Sequence, residues 1–387
     1  MTAPAGPSTT PATRGPRLLY VDHLRTALTV LVVLHHSAIA YSNIPHWYYL
    51  ETATDPSGTL LDVLLLLNQA FFMGAFFLIA GLFVPGSYDR EGARPFLGKR
   101  LLRLGVPLLV WLLVLRPLVT VGAYTEAARA AARQGADLPY WEYYLATFTP
   151  GPMWFVEVLL VFSALYVLWR RIGFPDRRAP GSAPATGRAP SAVAIIGFVV
   201  GLALVSYVWR IVMPMGTPFL GLPTPAYLPQ YAALFAVGLL AARRGWPAGL
   251  SRTAGRIGFA TAAVAAAAIV LLAIGSSGGT EFLGHGTWQS LVMTTCESAL
   301  AVGIVLGLVV LFRERLDSPG RLRRFLSEHA FTVYLIHPVV LVALGHALSG
   351  VQAPAVAKFA LLAVLAVPLC WALAAPVRAL PGARKVL

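Results

Sequence analysis

Charge is scarce in this chain of 387 residues, and negative charge is scarcest: 12% of the residues are charged, 16 acidic against 30 basic. Soluble domains carry about a quarter charged residues. With 57% hydrophobic residues, this chain lacks the polar surface that a water-exposed fold of its size needs. The net charge of +14 would point to nucleic acid in a soluble protein. Between apolar spans it has another cause, the retention of Lys and Arg on the cytoplasmic side of a membrane, and nucleic acid is set aside on that ground. Cysteine is nearly absent: Cys296 and Cys370 both lie inside apolar runs, which argues against a secreted-type disulfide framework. There is no His-Glu-x-x-His run, no Cys-x-x-Cys pair and no glycine-rich phosphate loop of the Walker or dinucleotide kind, so no metal site is expected. The opening "MTAPAGPSTTPATRGP" has no apolar core and does not read as a cleavable signal peptide. Residues 1–16 are expected to form a disordered cytoplasmic tail.

What the chain has is apolar runs long enough to cross a bilayer, which takes about 20 helical residues. Ten are expected, at 21–41, 60–84, 101–121, 152–170, 192–213, 227–242, 257–275, 289–312, 330–348 and 354–375. The fold class is therefore all-α, a polytopic integral membrane protein occupying 17–380. Ten alternating spans place 25 of the 30 basic residues on the face shared with the N-terminus, leaving Arg116, Arg129, Arg133, Arg210 and Lys358 for the other. This asymmetry predicts that both termini are cytoplasmic. The Pro- and Gly-rich stretch 172–191 reads as a cytoplasmic linker within the domain, and 381–387 as a cytoplasmic tail. In "EAARAAARQGADLPYWEYY", helix formers precede aromatics, which predicts a short helix at the outer interface.

The first run, "VDHLRTALTVLVVLHHSAIAY", interrupts its hydrocarbon residues with Asp22, His23, Arg25, His35 and His36. Ionisable groups in a span usually face the bundle interior or a watery cavity and mark function. Arg25 and His36 are eleven residues apart, close to three helical turns, so they share one helix face about 16 Å apart along the axis, with Asp22 near the same face. Arg25 then lies near the inner interface, placed for an anionic group arriving from inside, and His36 lies deeper, where a neutral imidazole accepts a proton. A purely structural reading stands beside this one: an interfacial pair between Asp22 and Arg25, with His36 bonded to a neighbouring helix. Adjacent histidines in register with an arginine favour function, but the pattern alone names no reaction. His35 points about 100° away from His36, so the two cannot share one metal ion without distorting the helix.

The string "DHLRTALTVLVVLHHS" resembles the first-helix signature of the membrane acyltransferase type 3 family, in which an acidic residue precedes Arg by three and His follows that Arg after ten intervening residues. Asp22, Arg25 and His36 occupy those positions. The similarity continues in "FFMGAFFLIAGLFVP", "FLGKRLLRLGVPLLVW", "GPMWFVEVLLVFSALY" and "FLSEHAFTVYLIHPVV", from the first span to the ninth. The resemblance implies an integral-membrane O-acyltransferase of the cell (inner) membrane, moving an acyl group such as acetyl from cytoplasmic acyl-CoA to a hydroxyl of a carbohydrate, glycolipid or exported metabolite. Acyl-CoA is then a co-substrate, and no permanently bound cofactor is expected.

Under that resemblance His36 is the general base, with Asp22, Arg25 and Glu157 completing the catalytic set. A thioester is already activated, so the protein mainly supplies a base, a place for the oxyanion and alignment. Arg25, Lys99, Arg100 and Arg103 are the candidates for holding the phosphates of CoA, set against ordinary positive-inside flanking. Glu157 either orients His36, binds the acceptor or is a protonated structural hydrogen-bonder. His35, Trp154, Tyr334 and His337 are expected in support, the last two also being explicable as a simple interhelical contact. Glu297, Asn68, Gln69 and His346 are intramembrane polar groups without a role. The rival from another class is a proton-coupled transporter or flippase, since carriers relay protons through such groups; the absence of an internal repeat counts against it.

Overall fold

A computed structural model describes residues 18–44, 47–172, 187–276 and 279–387. The expected N-terminal tail and most of the 172–191 linker lie outside them. The described residues form helices without a strand: α1 (Leu19–Ile39), α2 (Gly58–Gln69), α3 (Phe72–Glu91), α4 (Ala93–Arg100), α5 (Val106–Val110), α6 (Arg116–Arg133), α7 (Tyr140–Ala146), α8 (Trp154–Ile172), α9 (Ala192–Val212), α10 (Leu228–Arg244), α11 (Trp246–Gly249), α12 (Arg252–Gly275), α13 (Trp288–Arg315), α14 (Arg321–Leu348), α15 (Ala355–Ala379) and α16 (Ala383–Val386). Wider π turns at Leu101–Gly105 and Trp111–Leu115 join α4, α5 and α6 into one continuous rod.

Nine helices among the described residues are long and apolar enough to cross a membrane. They coincide with nine of the ten spans read from the sequence. The tenth, α1, equals α9 in length, but its charged and imidazole groups lower its hydropathy. Packing resolves the conflict, because α1 stands in the middle of the bundle against α2, α3, α13, α14 and α15. Fourteen of its 21 residues are buried, against four in the peripheral α9. The span whose apolar run is interrupted by charged and imidazole groups is thus one that lipid touches little.

Local signals start and stop these helices. Ser191, Ser251 and Thr287 accept the N–H of Ala194, Ala254 and Ser290, capping α9, α12 and α13. Gly245 ends α10 at φ +64°, a left-handed conformation in which a side chain is strained. The second span breaks at Ala70 and Phe71, and Gln230 of α10 donates to the freed Ala70 carbonyl at 2.7 Å. A break at membrane depth survives only when the loosened backbone groups find such partners. Small residues bring helices into close contact: Gly81 of α3 meets Gly238 of α10, and Gly258 of α12 meets Gly303 of α13, each without room for a Cβ.

Contacts define two faces. Where α1 begins, Tyr20 N–H donates to Asp317, Arg243 pairs with Asp89, and Arg313 binds the Pro247 and Leu250 carbonyls at 2.5 and 2.7 Å. On the opposite face Asp55 accepts the N–H of Ala355, the first residue of α15. Hydrogen bonds from Ser57 and from that N–H hold the Asp55 carboxyl below its usual range. Of the five basic residues left for this face, three are buried: Arg116 against the Thr147 carbonyl at 2.5 Å, Arg210 against Glu297, and Lys358 against Glu51. The two faces therefore differ in free positive charge more than the sequence count suggests. The helix formers after the third span extend it as α6 instead of forming a separate helix, so the short helix there is α7, built from the aromatics. Residues 383–386 form α16, which packs against the first π turn.

Candidate active site

His36 lies on the last turn of α1 and is met by α14. Its Nδ1 is 3.0 Å from the Val32 carbonyl oxygen and 3.2 Å from His337 Nε2. His337 Nδ1 is in turn 2.8 Å from the Tyr334 carbonyl oxygen. These partners assign the tautomers. A carbonyl only accepts, so His337 carries its proton on Nδ1, and its Nε2 is a lone pair. His36 then donates its Nδ1–H to Val32 and His337 together. The consequence is that His36 Nε2 is left as a lone pair, without a hydrogen-bond partner among the described residues.

Rings fix the orientation of this pair. Trp47, in the connection between α1 and α2, stacks on His36 with centroids 4.2 Å apart and planes 22° apart. His337 lies 4.9 Å from the His36 centroid. The Tyr334 hydroxyl donates to the Pro152 carbonyl just before α8, tying α14 to the start of that helix. A group held by stacking and hydrogen bonds loses little freedom on reaction.

His35 takes no part in that pair. It stacks on Phe72 at 4.8 Å, and its Nδ1 is 3.0 Å from Asn68 Nδ2. Gln69 donates to Tyr231 at 2.9 Å, and Tyr231 packs against Trp154 at 5.3 Å. The break in the second span thus holds α1 and α10 by consecutive polar residues. Glu157 is half-buried on α8 and makes no hydrogen bond or ion pair among the described residues; its electrostatic neighbour is Tyr334, not His36. The partners of the His36 ring are therefore His337, Val32, Trp47 and, edge-on at 5.5 Å, His35.

Near the start of α1, Arg25 Nη2 is 3.2 Å from Asp22 and donates to the Ser327 carbonyl of α14 at 3.3 Å. Asp22, Arg25 and His36 thus lie along one helix that α14 follows throughout. Lys99, Arg100 and Arg103 stand elsewhere: α4 and the first π turn pack on α3, α8 and α16. Lys99 pairs with Glu91 at 3.1 Å, Arg100 covers Phe96, and Arg103 is exposed.

Two features escaped the sequence reading. Trp47 lies in a connection, where composition gives no register, and its role follows only from the stack. The other is a buried ion pair, Arg210 Nη1 at 2.7 Å from Glu297 Oε2, its angle outside ordinary hydrogen-bond geometry. The Tyr227 hydroxyl donates to Glu297 Oε1 at 2.6 Å, and the guanidinium covers the Tyr227 ring at 4.6 Å. Glu297 was visible as a buried carboxyl, but its partner was counted only as a basic residue of the outer face.

A membrane-crossing helical bundle in which a half-buried imidazole, His36, meets a buried one, His337, is the frame in which the family match falls. A family model described as an acyltransferase domain matches residues 18–375, and the chain belongs to this family, the type 3 acyltransferases. It is an integral-membrane acyltransferase. No curated protein and no solved structure matches the chain.

Proposed function

We propose that the protein transfers a short acyl group from acyl-CoA to a hydroxyl of a carbohydrate, glycolipid or exported metabolite, with His36 Nε2 as the general base. In the reaction the acceptor oxygen attacks the thioester carbonyl carbon while its proton passes to Nε2. The C–S bond then breaks, and the leaving thiolate takes the proton back, so that an ester and CoA thiol leave a neutral imidazole. Val32 and His337 hold Nδ1–H throughout and steady the transient imidazolium. Arg25 faces the donor phosphates, and the excess of free basic residues where α1 begins supports a cytoplasmic location for that face and both termini, in the cell (inner) membrane.

One observation carries this reading: the unpartnered His36 Nε2, whose ring is locked from both sides. The test is acyl transfer in isolated membranes, with acetyl-CoA as donor. His36→Ala is expected to abolish turnover while CoA binding stays measurable. Full transfer by that variant refutes the assignment. Movement of a solute down a proton gradient without thioester consumption would favour a carrier instead.

A further inference from the structure

A cleft of about 500 Å³ opens on the face where α1 begins, between the start of that helix and the start of α14. Its wall includes His23, Gly320, Arg321, Arg324 and Ser327. The Ser327 carbonyl is the one that Arg25 binds, so Arg25 stands beside the cleft. His23 is only 8% exposed. Its Nδ1 donates to the Leu316 carbonyl at 2.5 Å, and its Nε2 has no hydrogen-bond partner among the described residues although the residue lines the cleft.

The charges here are unevenly committed. Arg324 pairs with Glu328 at 2.8 Å and Arg323 is turned back onto Ser318, whereas Arg321 makes no ion pair among the described residues. The acidic neighbours are engaged too: Asp317 accepts the N–H of Tyr20, Asp22 pairs with Arg25, and Glu328 holds Arg324 and Arg378. No side chain caps α14. Its first backbone bond runs from Arg324 N–H to the Gly320 carbonyl at 2.9 Å, leaving the N–H groups of the first turn available to an anion.

We propose that this cleft binds the phosphorylated nucleotide end of acyl-CoA, with Arg321 and Arg324 joining Arg25 on the phosphate oxygens and the His23 Nε2 lone pair accepting an N–H or O–H of the nucleoside. The inference rests on the acyl-CoA reading above and moves the donor's anchor from Lys99, Arg100 and Arg103 to α14. From the Arg25 level to His36 the helix rises about 16 Å, a distance matched to a donor whose phosphates and thioester sit at opposite ends of an extended pantetheine arm. Guanidinium groups suit phosphate by their planar fork.

The experiment measures equilibrium binding of CoA to the purified full chain in detergent. Arg321→Glu with Arg324→Glu is expected to weaken binding on the order of tenfold or more, as for loss of a charge-assisted contact. Arg321→Gln, milder for folding, should weaken it less but in the same direction. Adenosine 3′,5′-bisphosphate should displace CoA, and pantetheine should not. Wild-type affinity in both α14 variants, or loss of affinity in Lys99→Glu with Arg103→Glu instead, overturns the proposal. Failure of the bisphosphate to compete does the same. If the wild-type protein binds no CoA, the acyl-CoA reading itself falls, and this inference with it.

Discussion

His337 Nε2 lies 3.2 Å from His36 Nδ1, across 301 residues of sequence. Because the Tyr334 carbonyl fixes the proton of His337 on Nδ1, the contact has a direction: His36 donates and His337 accepts. With His36 as the proposed base, His337 would perform the orienting task that a carboxylate performs in serine hydrolases. Replacing it by Phe keeps ring volume and removes the acceptor. The expected outcome is a fall in kcat of roughly 10- to 100-fold with the KM for acyl-CoA little changed. His337→Gln, whose amide can accept and donate at once, should recover part of the rate. Steady-state kinetics in membranes check this, and an equal loss in both variants would mean that the residue serves packing alone.

Trp47 stacks on the His36 ring at 4.2 Å. Its removal frees the imidazole to turn. An aromatic contact of this kind is worth about 0.5–1.5 kcal/mol, so Trp47→Ala should lower kcat by on the order of tenfold, and Trp47→Phe should restore most of it. Turnover at saturating donor is the relevant measurement.

Arg210 and Glu297 are both nearly inaccessible, at 1% and 3% exposure for their side chains. Removing one partner strands the other charge in a dry interior, at a cost of about 3–5 kcal/mol. Glu297→Ala should therefore lower the thermal unfolding midpoint sharply in detergent. A paired replacement, Arg210→Met with Glu297→Leu, should recover much of the loss. A Glu297→Ala variant as stable as the parent would show that the pair holds nothing together.

Gly303 and Gly258 meet where α13 crosses α12, backbone against backbone. A valine at position 303 would force the helices apart, at about 1–3 kcal/mol for overpacking. The Gly303→Val protein should unfold earlier on heating than Val302→Ala, which changes a neighbouring side chain without adding volume. Thermal unfolding of the two variants side by side gives the answer.

The spans were legible because hydropathy and length leave little choice in a bilayer, and the helical period alone puts Arg25, His36 and Asp22 on one face of α1. What could not be read was partnership. The Ser327 carbonyl that binds Arg25 and the lone pair that meets His36 both come from α14, and nothing in a local pattern says which of nine other spans will lie alongside. The same limit hid the pairing of Arg210 with Glu297. Lys99, Arg100 and Arg103 were candidates for the CoA phosphates, and the sequence did not tell that they stand on α4 and the first π turn, packed on α3, α8 and α16. The extension of α6 was missed for a related reason: alanine-rich sequence continues a helix as readily as it starts one.

The central position of α1 also bears on how the protein is made. Its His23, Arg25 and His36 gain their partners on other helices only when residues 316–337 have been synthesised. Until then a nascent chain must hold a marginally greasy segment in the translocon or at its lateral gate, each stray charge costing a few kcal/mol against lipid. Ribosome-stalled chains ending before α14 should consequently leave α1 loosely inserted, and assembly of this enzyme is set by the arrival of its ninth span.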